Sequence, residues 1–368
     1  MSQFIQPGAV LGIVGGGLEA YRLGMTARQL GLKVVVLAPD EGDVAFAAAD
    51  MPLVGASTDA AALARLAEVT AVITYVDEFV NGDALAELTT ARQLPSGVDI
   101  LAVTQDRYLE KVFLDDLNMN TLPYAQVVTP QDVTKAVESV GFPAILKPIQ
   151  KSLGHDAALL LKSPQDVQAA AGLLATRPYV MEAWLDQPTE FAVAVAKSGD
   201  LVQVMPPVQN VFAQHQLKAS LVPAVADAAV AQEITRVAQV IAKRLAYAGV
   251  FGIEFFMTAN QTLYVKRVFP GPQPSGAILA PTTGTSAEEL HLRALLGWPL
   301  PAVNVLRPGV LLPLYEADRA AAMTQLAIKP AWQFRFYPAG AGAIGQVAVF
   351  GDRALVAQAI NATDHFHL

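Results

Sequence analysis

The stretch VLGIVGGGLEAYRLGMTARQLGLKVVVL, residues 10–37, decides the first part of the fold. Its opening run, residues 10–14, is apolar without alternation, the pattern of a strand buried on both faces. Three glycines follow at Gly15, Gly16 and Gly17, then a helical pattern to Leu30, with Gly31 as the expected C-cap. Residues 33–37 read as a second buried strand, so the unit is βαβ. Working outward, a helix is expected from Asp59 to Glu68, a strand at 71–74, a helix near Asp83 to Arg92, and a short strand at 100–103. Residues 1–103 therefore read as one Rossmann-like α/β domain with a parallel sheet.

Beyond residue 103 the pattern changes. Thr104 is expected to cap a helix running to about Leu117. Thr129-Pro130 and Ser163-Pro164 each place a capping residue before a proline suited to a first helical position. Strands at 144–148 and 158–161 lie between, giving a small α+β lid over about 123–177. A strand-rich region begins at Tyr179, with a hairpin turning at Ser198-Gly199-Asp200. A long helix spans about 227–246, and a second hairpin joins 250–257 to 263–269. Ser286 is expected to cap a helix to about Leu296. This gives a second domain over 104–302 and a small β-rich C-terminal domain over 303–368.

Length and composition bound the function. At roughly 100–200 residues per domain, 368 residues suit two or three domains. Hydrophobic residues make up 53% and charged residues 16%, which argues against long disorder. The net charge of −8, with no basic block, argues against a nucleic-acid partner. The chain has no cysteine, so disulfides and thiolate metal sites are excluded. No apolar run is long enough for a membrane span and no signal peptide is evident, so a cytoplasmic location is expected.

Several residues stand out chemically. Gly15-x-Gly17-x-x-Ala20 loosely fits a dinucleotide fingerprint, with Asp40 as the ribose acid; equally, a βα turn needs glycine to bring strand and helix together. Lys147 lies in an apolar strand, where a charge needs an anionic partner or must snorkel to the edge. Glu182 and Glu190 flank Trp184-Leu185, a setting that suits either a nucleobase and ribose pocket or an exposed strand edge. Glu254 sits in the run VFGIEFFM, residues 250–257, and needs a metal or a counter-charge; Lys266 and Arg267 on the next strand could supply the latter. The histidines His155, His215, His291, His365 and His367 show no metal-ligand spacing.

Taken together, the segments at residues 12–40, QDRYLEKVFLDDL, AILKP, YVMEAWL and GVFGIEFFMTANQTLYVKRVFPGPQPSG resemble carboxyaminoimidazole ribonucleotide synthetases, in order and spacing, over nearly the whole chain. The resemblance implies an ATP-grasp fold and ATP-dependent joining of bicarbonate to aminoimidazole ribonucleotide in purine biosynthesis. It implies ATP and Mg²⁺ as cofactors and a homodimer. It places Arg107, Lys111 and Lys147 toward the ATP phosphates, Glu182, Ala183, Trp184 and Leu185 beside adenine, Glu190 on the ribose, and Glu254 as one of two acidic metal ligands.

The chain departs from the family at several positions. Lys151-Ser-Leu-Gly-His-Asp-Ala157 replaces a glycine-rich lid loop. The family's NEIAPRPHNSGH becomes KRVFPGPQPSGA, residues 266–277, so Arg267 stands at the second metal carboxylate and Lys266 beside it. Gly271, Gln273 and Pro274 replace an arginine and a His-Asn pair of the substrate site. The basic tail stretch becomes Ala341-Gly-Ala-Ile-Gly345. Arg267, with Lys266, is therefore expected to pair with Glu254. Two other outcomes stay open: an ATP-grasp ligase with a changed acceptor, and a nucleotide-binding regulatory relative with little catalysis.

Overall fold

The structure, a computed structural model, describes residues 4–151, 158–214 and 216–368. The first layer is built from β1 (Val10–Val14), α1 (Gly17–Gln29), β2 (Lys33–Ala38), β3 (Met51–Val54), α2 (Ala60–Val69) and β4 (Val72–Tyr75). Its sheet runs β3-β2-β1-β4, every pair parallel. Helices α3 (Gly82–Leu88), α4 (Asp99–Thr104) and α5 (Arg107–Asp116) lead away from it.

Two expectations fail here. Residues 100–103 form helix α4, not a strand. Ile100 and Leu101 are buried by packing in a cluster with Phe251 and Val268, so the short apolar run reflects a helix wedged between layers. Thr104 lies inside α4, where its hydroxyl donates to the carbonyl of Ile100. The cap of α5 is Asp106, whose carboxylate accepts from the amides of Tyr108 and Leu109 at 2.8 and 2.9 Å.

The lid comprises β5 (Tyr124–Val127), α6 (Pro130–Val140), β6 (Ala144–Pro148), β7 (Leu159–Leu161), α7 (Val167–Leu174) and β8 (Tyr179–Ala183). Its antiparallel sheet has the order β5-β8-β6-β7. Thr129 and Asp132 form a reciprocal capping box at the start of α6, with Pro130 in the first turn.

The large sheet follows: β9 (Thr189–Ser198), β10 (Leu201–Val204), β11 (Val208–Ala213), β12 (Gln216–Val222), then α8 (Ala228–Arg244), β13 (Gly249–Met257) and β14 (Leu263–Pro270). Helices α9 (Leu279–Thr283) and α10 (Ala287–Leu295) come next. The chain ends with β15 (Gly309–Leu314), α11 (Arg319–Ile328), β16 (Gln333–Phe336), β17 (Gly345–Phe350) and α12 (Arg353–Asn361). The sheet order is β14-β13-β9-β11-β12-β15-β17-β16, with β10 on β9. The last three strands thus extend the large sheet through the β12–β15 pair. One face of β13, with Phe251, Ile253 and Phe255, packs on Ile234, Ala238 and Ile241 of α8. The other face carries Gly252 and Glu254 toward the lid side, because strand side chains alternate.

The layers are tied by buried polar contacts. His291 on α10 accepts the amide of Val250 at Nδ1, 2.8 Å away. That fixes the proton on Nε2, which donates to Thr74 Oγ1 on β4 at 2.7 Å. Arg22 on α1 forms an ion pair with the buried Glu288 on α10. Among the described residues, no helix is long and apolar enough to cross a membrane.

Burial pushes the His291 imidazole down to about 4, against its ordinary 6.5. Between those two values the unfolded chain takes up a proton that the folded chain refuses. Stability is therefore full above about pH 6.5 and falls as pH drops toward 4. Melting temperature should fall between pH 7 and pH 5. His291→Gln keeps hydrogen-bonding capacity without the titration and should flatten that slope; an unchanged slope would clear His291 of the role.

Candidate functional site

The site is assembled from four elements that face one another. Helix α5 presents Arg107, Glu110 and Lys111 on one side, because positions three and four apart share a helix face. In the lid, Lys147 on β6 and Glu182 on β8 lie diagonally across an antiparallel pair, with Lys147 opposite Val180 and Ile145 opposite Glu182. On the large sheet, β9 supplies Glu190, β13 supplies Glu254, and β14 supplies Lys266 and Arg267. From the first layer, Glu78 and Phe79 follow β4. These chains enclose a cavity of about 320 Å³ lined by six cations, Arg107, Lys111, Lys147, Lys151, Lys266 and Arg267, and three carboxylates, Glu78, Glu110 and Glu182.

Each cation has a partner. Glu182, 6% exposed, accepts from Lys111 through Oε1 and from Lys147 through Oε2, the latter at 2.9 Å. Burial pushes this carboxyl up, but Lys147 and Lys111 outweigh it and hold it at about 2. Lys151 Nζ lies 3.1 Å from Glu110 Oε2 and 3.4 Å from Glu78 Oε1. The other oxygen of Glu110 accepts the amide of Val268 at 2.6 Å, pinning α5 to β14. Arg107 donates to the carbonyl of Pro148 at 2.9 Å.

Glu254 and Arg267 are directly opposed across β13 and β14. Arg267 donates through Nε and a terminal nitrogen to the two carboxylate oxygens, at 2.9 and 2.8 Å, a bidentate fork. Lys266 stands 3.1 Å from Glu254 and 2.9 Å from Glu190, joining the two acids. Burial raises the Glu254 pKa, and Arg267 with Lys266 brings it down to about 2.

Of the residues expected to touch adenine, Glu182 and Ala183 end β8, and Trp184 and Leu185 open the connection to β9. Ala183, Trp184 and Leu185 are half-buried. The amides of Ala183 and Trp184 donate to the carbonyls of Pro123 and Pro143, each at 2.9 Å. Sequence reasoning missed Glu78, Glu110 and Lys151. The signal for Glu110 was its position three residues after Arg107, on the face that turns inward. The expected lid-loop change lies, beyond Lys151, outside the described residues, as do His155 and His215.

The glycine cluster serves the fold. Asp43 accepts the amide of Gly17 at 2.9 Å, so a carboxylate of the chain itself caps α1 where a dinucleotide phosphate would sit. A Cβ on Gly16 would overlap that carboxylate. Asp40 is exposed. Among the described residues the histidines form no ligand set, and His365 pairs with Asp318 at 2.7 Å.

Magnesium does not fit the residues present. Among the described residues no three of His, Cys, Asp or Glu converge on a point that could hold a metal. Both oxygens of Glu254 are engaged by cations.

The parallel βαβ layer, the lid, and the cation-lined cavity against a large antiparallel sheet define an ATP-grasp protein with a domain preceding it. Residues 112–286 match the ATP-grasp domain, and residues 9–105 match the ribonucleotide synthetase pre-ATP-grasp domain. The N5-carboxyaminoimidazole ribonucleotide synthase of Bacillus subtilis (strain 168) is 31% identical over 313 residues, 85% of this chain and 82% of that one. A solved ADP complex of an N5-carboxyaminoimidazole ribonucleotide synthetase superposes with a TM-score of 0.90 at 27% identity, covering 100% of both chains. The ADP complex of the Staphylococcus aureus enzyme also gives 0.90, at 26% identity and 98% coverage of each chain. The chain belongs to the N5-carboxyaminoimidazole ribonucleotide synthase family.

Exchanging a carboxylate for a guanidinium shifts the local charge by two units. Two unit charges about 4 Å apart interact by about 4 kcal/mol at an effective dielectric near 20. Titration with manganese alone should therefore find no site tighter than millimolar. The double change Lys266→Asn with Arg267→Glu should tighten manganese binding at least about tenfold, about 1.4 kcal/mol. Tight manganese binding by the unaltered chain would defeat the ion-pair account.

Proposed function

We propose that this chain binds an adenine nucleotide in the cation-lined cavity, and that its activity is the family's ATP-dependent carboxylation of aminoimidazole ribonucleotide, running slowly. The observation that carries the binding is the lining of one cavity by six cations, which outnumber by one the five acids set beside them, Glu78, Glu110, Glu182, Glu190 and Glu254, a balance suited to a polyphosphate. The solved relatives with bound ADP support the same ligand.

In this reading Lys147, Lys111 and Arg107 meet the phosphates. Ala183, Trp184 and Leu185 border the adenine, and Glu182 holds Lys111 and Lys147 charged and oriented. Glu190 receives the ribose hydroxyls once Lys266 swings away. Arg267 and Lys266 offer cationic stabilisation where the family uses a second metal carboxylate. A guanidinium fixed on Glu254 does not bridge two phosphoryl oxygens as a metal does, and transfer is slowed accordingly. The same pair favours a second reading, a nucleotide-binding relative with little catalysis.

Calorimetry with ATP in EDTA and in excess magnesium should give affinities within a few-fold of each other, and Lys147→Ala should weaken both by about tenfold. A bacterial purine auxotroph lacking the synthase should grow poorly without purine when it carries this chain. No heat with millimolar ATP or ADP would end the nucleotide reading, and robust growth would end slow turnover.

We also propose a homodimer, on family grounds. Light scattering at micromolar protein should return twice the 38.9 kDa chain mass; the single mass would overturn it.

A further inference from the structure

We propose that Phe269 narrows the acceptor side of this site, so that a nucleotide seats fully while the molecule it acts on binds only weakly, which slows the turnover proposed above. The proposal rests on the nucleotide reading above. Register places Arg267 opposite Glu254 and Phe269 opposite Gly252, two residues along on the same face. Ala192 and Ala194 of β9 lie opposite Glu254 and Gly252 on that face. Three small side chains thus form a trough beside the ion pair, and one aromatic ring fills it.

The fit is close. Phe269 is 2% exposed. Its ring lies against the bare backbone of Gly252, where an added Cβ would overlap it. The Arg267 guanidinium lies 5.2 Å from the ring centroid, within cation–π range. The space left among Ala192, Ala194, Gly252, Gly271 and Gly276 is about 10 Å³, room for one water at most. The far end is closed as well. Gly271 has φ of +79°, and a Cβ there would stand 3.0 Å from the carbonyl oxygen of Val76. Val76 is two residues from Glu78, which lines the cation cavity.

The position decides what the ring does. A ligase must hold its acceptor about 3–3.5 Å from the phosphoryl group, in line with it. On this sheet face the ring takes the next position along β14 from Arg267, which lines the cavity. Phe269 faces this remaining space together with Val208 and Leu279 of the neighbouring apolar core.

The test uses the full chain loaded with ADP, and 5-aminoimidazole ribonucleotide as the probe, followed by calorimetry. The unaltered chain should bind ADP, and should bind the ribonucleotide only weakly, at about millimolar concentration. Phe269→Ala should bind ADP with unchanged affinity and bind the ribonucleotide at least tenfold more tightly. Phe269→Val, which keeps a strand-forming side chain, should show a smaller gain in the same direction. Ribonucleotide binding by the unaltered chain equal to that of Phe269→Ala would overturn the proposal. So would ADP binding by both variants with no gain for the ribonucleotide. A chain that binds neither ADP nor ATP fails the nucleotide reading instead, which separates the two outcomes.

Discussion

The bidentate clamp of Arg267 on Glu254 is the constraint around which the site is arranged. A carboxylate on the inner face of a large sheet is costly unless it is paired and fully hydrogen-bonded. Arg267 satisfies both oxygens from the neighbouring strand, and Lys266 adds a second cation and links Glu254 to Glu190. With that arrangement in place, two cations balance two acids on the sheet face without a metal. The guanidinium also lies over Phe269, so the electrostatics of the ion pair and the filling of the trough are mechanically connected.

The second network spans the lid and the helix that enters it. Glu182 gathers Lys147 from its own sheet and Lys111 from α5, while Glu110 on the same helix holds Lys151 and the backbone of β14. A helix of ten residues thereby touches both walls of the cavity. Removing one member of such a buried set leaves its partners charged and unpaired, which costs about 3–5 kcal/mol. The network therefore holds the lysines and glutamates in register before any ligand arrives. It also means that a polyphosphate must compete with carboxylates already in place.

Part of this was legible in the sequence. The parallel layer followed from unbroken apolar runs around the glycine cluster, and the two hairpins followed from their polar turns. Glu254 and Arg267 could be matched because a short hairpin fixes its own register. The strand expected at 100–103 failed because a short buried run has the same composition as one turn and a half of helix between layers. The cap at Asp106 was missed because Thr104 and Asp106 are both good caps, and only the packing of α4 chooses between them.

The sequence by itself determined most local elements, the family resemblance and the facing of Glu254 and Arg267 across a hairpin, since these depend on neighbouring residues and on order along the chain. The tertiary structure alone decided which charges meet. Glu110 and Val268 are 158 positions apart, and Thr74 and His291 are 217 apart. No periodicity links such pairs. It also decided the fate of Phe269, which reads as an ordinary strand residue until β9 and β13 place two alanines and a glycine around its ring. Composition reports that a side chain is apolar, whereas the space it fills depends on what other strands leave open.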